Sequence, residues 1–132
     1  MVNINWQFQA AIQGGPALAV NTPTLSVAAY DVVQQAIDAG QSGTLPLPPI
    51  GDPKDILLLV LVSDHYDSDP TKLSFDIGSS TTDNRLDGPL LLVGSGAVGL
   101  LSSGGSLPSS LKVNNKLAVA INVQLMVARN LP

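Results

Sequence analysis

The residues best able to do chemistry lie close together. Asp64-His65-Tyr66-Asp67-Ser68-Asp69 sets three carboxylates and the chain's only histidine within six positions. Calcium takes carboxylate and carbonyl oxygens, and Asp64, Asp67 and Asp69 are three candidate donors. Their spacing is not that of an EF-hand loop, and no glycine stands at the sharp turn such a loop needs. A solvated, aspartate-rich β-turn closed by Pro70 is therefore expected instead. His65 has no cysteine and no second histidine to complete a transition-metal set, so no metal is expected.

The same histidine invites comparison with a general base. Thirteen serines are present as nucleophiles. The G-x-S-x-G elbow is missing, however, and one histidine does not establish a triad. Glycoside hydrolysis needs a carboxylate pair, and the chain has aspartates but no glutamate. The expectation is no enzyme and no catalytic residues.

Gly94-Ser95-Gly96-Ala97-Val98-Gly99 matches G-x-G-x-x-G, and the apolar run Pro89 to Val93 before it suits a strand. Dinucleotide binding needs a helix opening at these glycines, and an acid about 20 residues later for the ribose. Here LLSSGGSLP follows, and no acid comes after Asp87. No cofactor is expected. Gly88 to Gly105 is apolar but too short and too glycine-broken to span a bilayer, so buried strands joined by a tight turn are the simpler expectation. Sugar recognition favours aromatic platforms. Of Trp6, Phe8, Tyr30, Tyr66 and Phe75, three fall on inferred core faces, and Tyr66 beside the aspartates is the one platform for a lectin-like alternative.

What must position these residues is a set of strands. Ile4, Trp6, Phe8, Ala10 and Ile12 alternate with polar or small residues, and Gly14-Gly15-Pro16 ends the run. Ala17 to Val20 suits the return arm of a hairpin. Leu117, Val119, Ile121, Val123, Leu125 and Val127 alternate likewise, and Leu73, Phe75 and Ile77 form a shorter set. Ile56 to Val62 is apolar on both faces, as in a strand covered on both sides. The second cover is either a neighbouring subunit or the chain's own loops. Leu57, Leu59 and Leu61 are taken as its outward set, and Ile56, Leu58 and Val60 as the inward one. Ala29, Val32, Val33, Ala36 and Ile37 fit a helical period, with Thr24 or Ser26 as cap and Gly40 as stop. Ser102 to Ser110 has the composition of a surface loop.

Composition points the same way. The chain of 132 residues carries six bases and ten acids, all the acids being aspartate, with twelve glycines and ten prolines. Aspartate favours turns where glutamate favours helices. Charged residues are 12% of the chain, against roughly a quarter in an ordinary soluble domain. Much of the surface is therefore expected to be covered, by copies of the chain or by a larger particle. Serine, threonine, asparagine and glutamine total 34, and such groups lose less on dehydration than ions do. After Asp87 no acid remains, while Lys112, Lys116 and Arg129 follow. That polarity either assists head-to-tail encounter or is chance. A net charge of -4 argues against nucleic acid. MVNINWQF has no basic stretch followed by an apolar run, so no secretory signal is expected, and no membrane partner.

The order of segments resembles small jelly-roll or β-sandwich structural proteins of bacteriophage virions. The likeness lies in Tyr30 to Pro49, then ILLLVLVSDHY, LSFDI, LDGPLLLVGSGAVGLL, SLKVNN and VQLMVARN. It implies a strand over 25–38 and a turn at Asp38-Ala39-Gly40, against the helical period. It also implies a capsid-decoration or head-tail accessory role in the virion, with oligomers seated on a major capsid or other virion protein. No functional residues carry over, since such proteins work through surfaces. The whole expectation is one all-β domain over residues 1–132, a β-sandwich or jelly roll of about eight strands with at most one short helix. It would act as a homo-oligomer, a trimer being favoured.

Overall fold

The structure is a computed structural model that describes residues 2–8, 10–11, 13–15, 17–18, 24–48, 53–102 and 106–130. Twelve strands are present among them: β1 (Val2–Ile4), β2 (Ala10–Ala11), β3 (Ala17–Leu18), β4 (Leu25–Val27), β5 (Ala29–Ile37), β6 (Ser42–Pro46), β7 (Ile56–Ser63), β8 (Leu73–Ile77), β9 (Asn84–Arg85), β10 (Leu90–Val93), β11 (Ser110–Asn115) and β12 (Ile121–Arg129). Eight of them form two antiparallel sheets of four, ordered β10-β7-β12-β5 and β6-β11-β8-β9. The pairs β5–β12, β6–β11, β7–β10 and β8–β9 are nested like one long hairpin, and they fall alternately into the two sheets. That order is a jelly roll. One helical turn, α1 (Ser95–Val98), is the only α-helix among the described residues.

Alternation places the core. Ile37, Leu45, Leu61, Leu73, Phe75, Leu111, Val113, Ile121, Val123, Leu125 and Val127 are buried between the sheets in one cluster. Gly43 lets the sheets approach: a Cβ there would stand 2.8 Å from the side chains of Gln35 and Ile37. The far end of the sandwich is plugged by α1 and the 3-10 turn that follows it, through buried Val98 and Leu101.

The segment 25–38 is not helical: it forms two strands, β4 and β5, in different sheets and separated by a bend at Ala28, rather than one strand. β5 pairs with β12 over its whole length, from Ala29–Arg129 to Ile37–Ile121. Nine backbone partners and β-branched Val32 and Val33 outweigh a pattern that a half-apolar strand can mimic.

On β7 the expected inward and outward sets are corrected. Ala128 faces Leu58 while Arg129 faces Ile56, so Leu57 is an extra, bulged residue. The bulge shifts the phase of alternation. Ile56, Leu59 and Leu61 point into the main core, whereas Leu58 and Val60 point outward with Leu57 packed on that side. Part of the second cover is the chain itself. β1 pairs with β4, and Val2, Ile4, Leu25 and Val27 lie over Leu58, Ala128 and Val93.

The long N-terminal strand is broken. β1 ends at Ile4, and the ladder resumes only at Ala10, where β2 and β3 make the expected hairpin with Gly14 at positive φ. Trp6 is half-buried and Phe8 exposed, so neither sits in the core, unlike Phe75. Ile12 and Val20 lie outside the described residues. Leu117 to Val119 form a bend, and β12 starts at Ile121. The stretch after β10 turns helical rather than returning as a strand.

Candidate functional site

The Asp64–Asp69 loop is built from its own hydrogen bonds. Asp64 follows β7, and its carboxylate accepts from the backbone N–H of Asn122 at 2.9 Å, locking the end of β7 to the start of β12. His65 Nδ1 lies 3.0 Å from Asp64 Oδ1. The Asn122 N–H and then the imidazole hold the Asp64 carboxyl below the ordinary aspartate range. Asp67 Oδ1 accepts from the N–H of Asp69. Asp69 Oδ1 accepts from the hydroxyl and N–H of Thr71, and these two bonds, hydroxyl first, lower its carboxyl too. Asp67 and Asp69 thus organise the turn, while Asp64 ties two strands together. Among the described residues no group of three or more histidine, cysteine or acidic side chains gathers where it could hold a metal ion.

The other sequence candidates are placed as follows. Tyr66 Oη accepts from the backbone N–H of Ser63, so the ring is tied to its own loop. No serine hydroxyl among the described residues hydrogen-bonds the imidazole of His65, whose backbone N–H instead donates to Ser63 Oγ. At Gly94 the chain passes from β10 into α1, the strand–glycine–helix order that a nucleotide loop requires. That helix lasts four residues, and its buried Val98 belongs to the core. Among the described residues no helix is long and apolar enough to cross a membrane.

An open cleft of about 500 Å³ lies at the Gly78 end of β8. Ser79, Ser80, Thr82, Ser102, Ser106 and Ser109 line it, with Leu100, Leu107 and Pro108 among its apolar walls and no charged side chain among the described residues.

The outer faces of the two sheets differ far more. Beyond the β6-β11-β8-β9 sheet the registers put Thr44, Lys112, Asp76 and Arg85, beside a polar ladder of Ser42, Asn114, Ser74 and Asp76. Ser42 Oγ donates to Asn114 Oδ1, and Asn114 Nδ2 donates to Ser74 Oγ and Asp76 Oδ2. Beyond the other sheet the registers put Tyr30, Val32, Gln34 and Ala36 on β5, Asn122, Gln124, Met126 and Ala128 on β12, Leu58, Val60 and Val62 on β7, and Leu91 and Val93 on β10. None of these residues is charged. The arm formed by β1 and β4 covers one part. Elsewhere Tyr30, Val32 and Leu91 remain 53%, 55% and 41% exposed. Gln34 and Gln124 stand directly opposite one another and, with Val62 and Asn122, line a shallow hollow of about 450 Å³ that reaches Asp64.

No protein-family model matches this chain, and neither a curated protein nor a solved structure is detectably similar to it. The site must be read from its own chemistry. A charge-free face of aliphatic and amide groups suits contact with another surface, because uncharged groups dehydrate at lower cost. Sequence reasoning located the apolar strand β7 but missed Val32, Gln34 and Gln124. The usable signal was the alternation of Tyr30, Val32, Gln34 and Ala36, hidden beneath the helical period.

Proposed function

We propose that this chain is a non-enzymatic structural protein that works by assembly, with the outer face of the β10-β7-β12-β5 sheet buried against copies of itself. The observation that carries the proposal is the absence of charge from every outward position of that sheet, while the opposite sheet presents Lys112, Asp76 and Arg85. In a chain with so few charges their distribution is informative: the strand positions facing outward on this sheet hold none of them. Exposed apolar patches rimmed by polar groups mark interaction sites.

The setting proposed is a virion, as a capsid-decoration or head-tail accessory subunit seated on a larger virion protein. Its support is the order of segments together with the jelly roll, a fold that carries capsid and lectin domains alike. Since folds host many functions, the fold alone does not choose between them, and the uncharged face is what supports the assembly reading. Hydrogen exchange at rising protein concentration tests the assembly. Amides of β5 and β12 gain protection, and those of β11 on the opposite sheet do not. Equal behaviour of both sheets contradicts the assignment of the face.

A carbohydrate-binding module is the second reading, and one observation favours it: the serine-lined cleft between Gly78 and Ser109, uncharged among the described residues. This moves the candidate sugar site away from Tyr66. A glycan array with and without calcium tests it, and silence in both conditions removes it.

A further inference from the structure

The free edge of β5 deepens the assembly proposal, on which the following inference rests. β5 is the outermost strand of its sheet, and among the described residues only β12 pairs with it. Its nine residues extend about 30 Å at roughly 3.3 Å each. Edge strands are ordinarily blunted by shortness, lysine, proline, a bulge or an inward charge. The other three sheet edges follow that rule: β10 has four residues, β9 has two, and β6 ends on Pro46. β5 has no lysine or proline, and its register with β12 runs without a shift. Its one charge, Asp31, sits on the inner side opposite Val127 and accepts from Arg129 Nε at 2.8 Å. That protects one end. Val32 to Ile37 carry no such device.

We infer that β5 pairs antiparallel with β5 of a second copy, about a two-fold axis through Val33. The strand is complementary to itself in this register. Val32 falls opposite the partner's Gln34, Tyr30 opposite the partner's Ala36, and Asp31 opposite the partner's Gln35. Tyr30 meets a small alanine and no like charges oppose, which favours cross-strand pairing. The two sheets become one of eight strands, and their charge-free outer faces become one surface. A two-fold contact of this kind gives an even number of subunits. The trimer suggested by composition does not arise from it alone.

Sedimentation analysis of a charge-swap series tests the contact. Val32 and Gln34 are exposed, so substitutions there leave the fold intact, as circular dichroism verifies. The wild type sediments as an even multiple of the 13.6 kDa chain. V32K/Q34K sets like charges opposite each other across the axis, and the mass halves. V32K/Q34E sets opposite charges there and keeps the β5 pair, sedimenting heavier than V32K/Q34K. An odd-numbered wild type, or equal dissociation of both double variants, overturns the β5 contact while leaving the assembly proposal standing. A monomeric wild type overturns both.

Discussion

Asn114 Nδ2 donates to the Asp76 carboxylate at 2.9 Å, across neighbouring strands on the outer side of the polar sheet. Asp76 is almost completely buried, and its other oxygen accepts from the backbone N–H groups of Thr82 and Asp83, at 3.1 and 2.8 Å. Asp83 is held at positive φ, so this one carboxylate fixes the shape of the turn between β8 and β9.

Burial alone would raise the Asp76 carboxyl. The bonds from Asn114, Asp83 and Thr82, with Lys112 opposite on β11, outweigh it and hold the group below the ordinary aspartate range. A pKa lower in the folded state means that the unfolded chain binds more protons, so stability is present above about pH 4 and lost as pH falls through the folded value. Asp76→Asn should cost about 1–3 kcal/mol at pH 7, since an amide cannot accept at all three donors without reorganisation. Urea unfolding at pH 7 and pH 3 measures this, and the deficit should shrink at pH 3. An equal deficit at both would remove the electrostatic part of the explanation.

Asn115, completely buried, ties three chain segments together. Its Nδ2 donates to the carbonyls of Ile37, Asp38 and Val119, and its Oδ1 accepts from Leu117 N–H. Asn115→Ala should destabilise by about 3 kcal/mol, the scale of leaving buried backbone groups unpaired. Asn115→Asp should be worse at pH 7, because it turns a carboxylate toward three carbonyl oxygens, and should recover partly on acidification. Unfolding curves that rank aspartate above alanine at pH 7 would contradict this geometry.

The bulge at Leu57 makes the β7 series a direct test of side-chain direction. Leu59→Asp and Leu61→Asp should prevent folding, as both side chains are inaccessible in the main core. Val62→Asp, on the outer face, should fold with a melting temperature near that of the wild type and should weaken assembly. A folded Leu61→Asp protein would reverse the assignment of faces.

Sequence made the architecture readable because most strands have one buried face. β12 and β8 alternate cleanly, so Ile121 to Val127 and Leu73 to Phe75 could be assigned to the core directly. Alternation failed where both faces are apolar or where the phase breaks. β5 exposes Tyr30 and Val32 on the outside and buries Ile37 inside, which let a helical spacing compete. β7 carries a bulge, and no local pattern in ILLLVLV announces the extra residue at Leu57. The polar ladder of Ser42, Asn114, Ser74 and Asp76 joins residues distant in the chain, so it becomes visible only with the strands paired. The Asp64–Asp69 turn was legible, since Asx bonding two residues onward is a local property of aspartate.

Static light scattering across micromolar concentrations tests the central claim, that the uncharged sheet face is covered by copies of the chain. The predicted result is a particle of several times 13.6 kDa, with Val62→Asp giving a smaller one. A wild-type particle that stays at 13.6 kDa throughout and binds no larger assembly would contradict it.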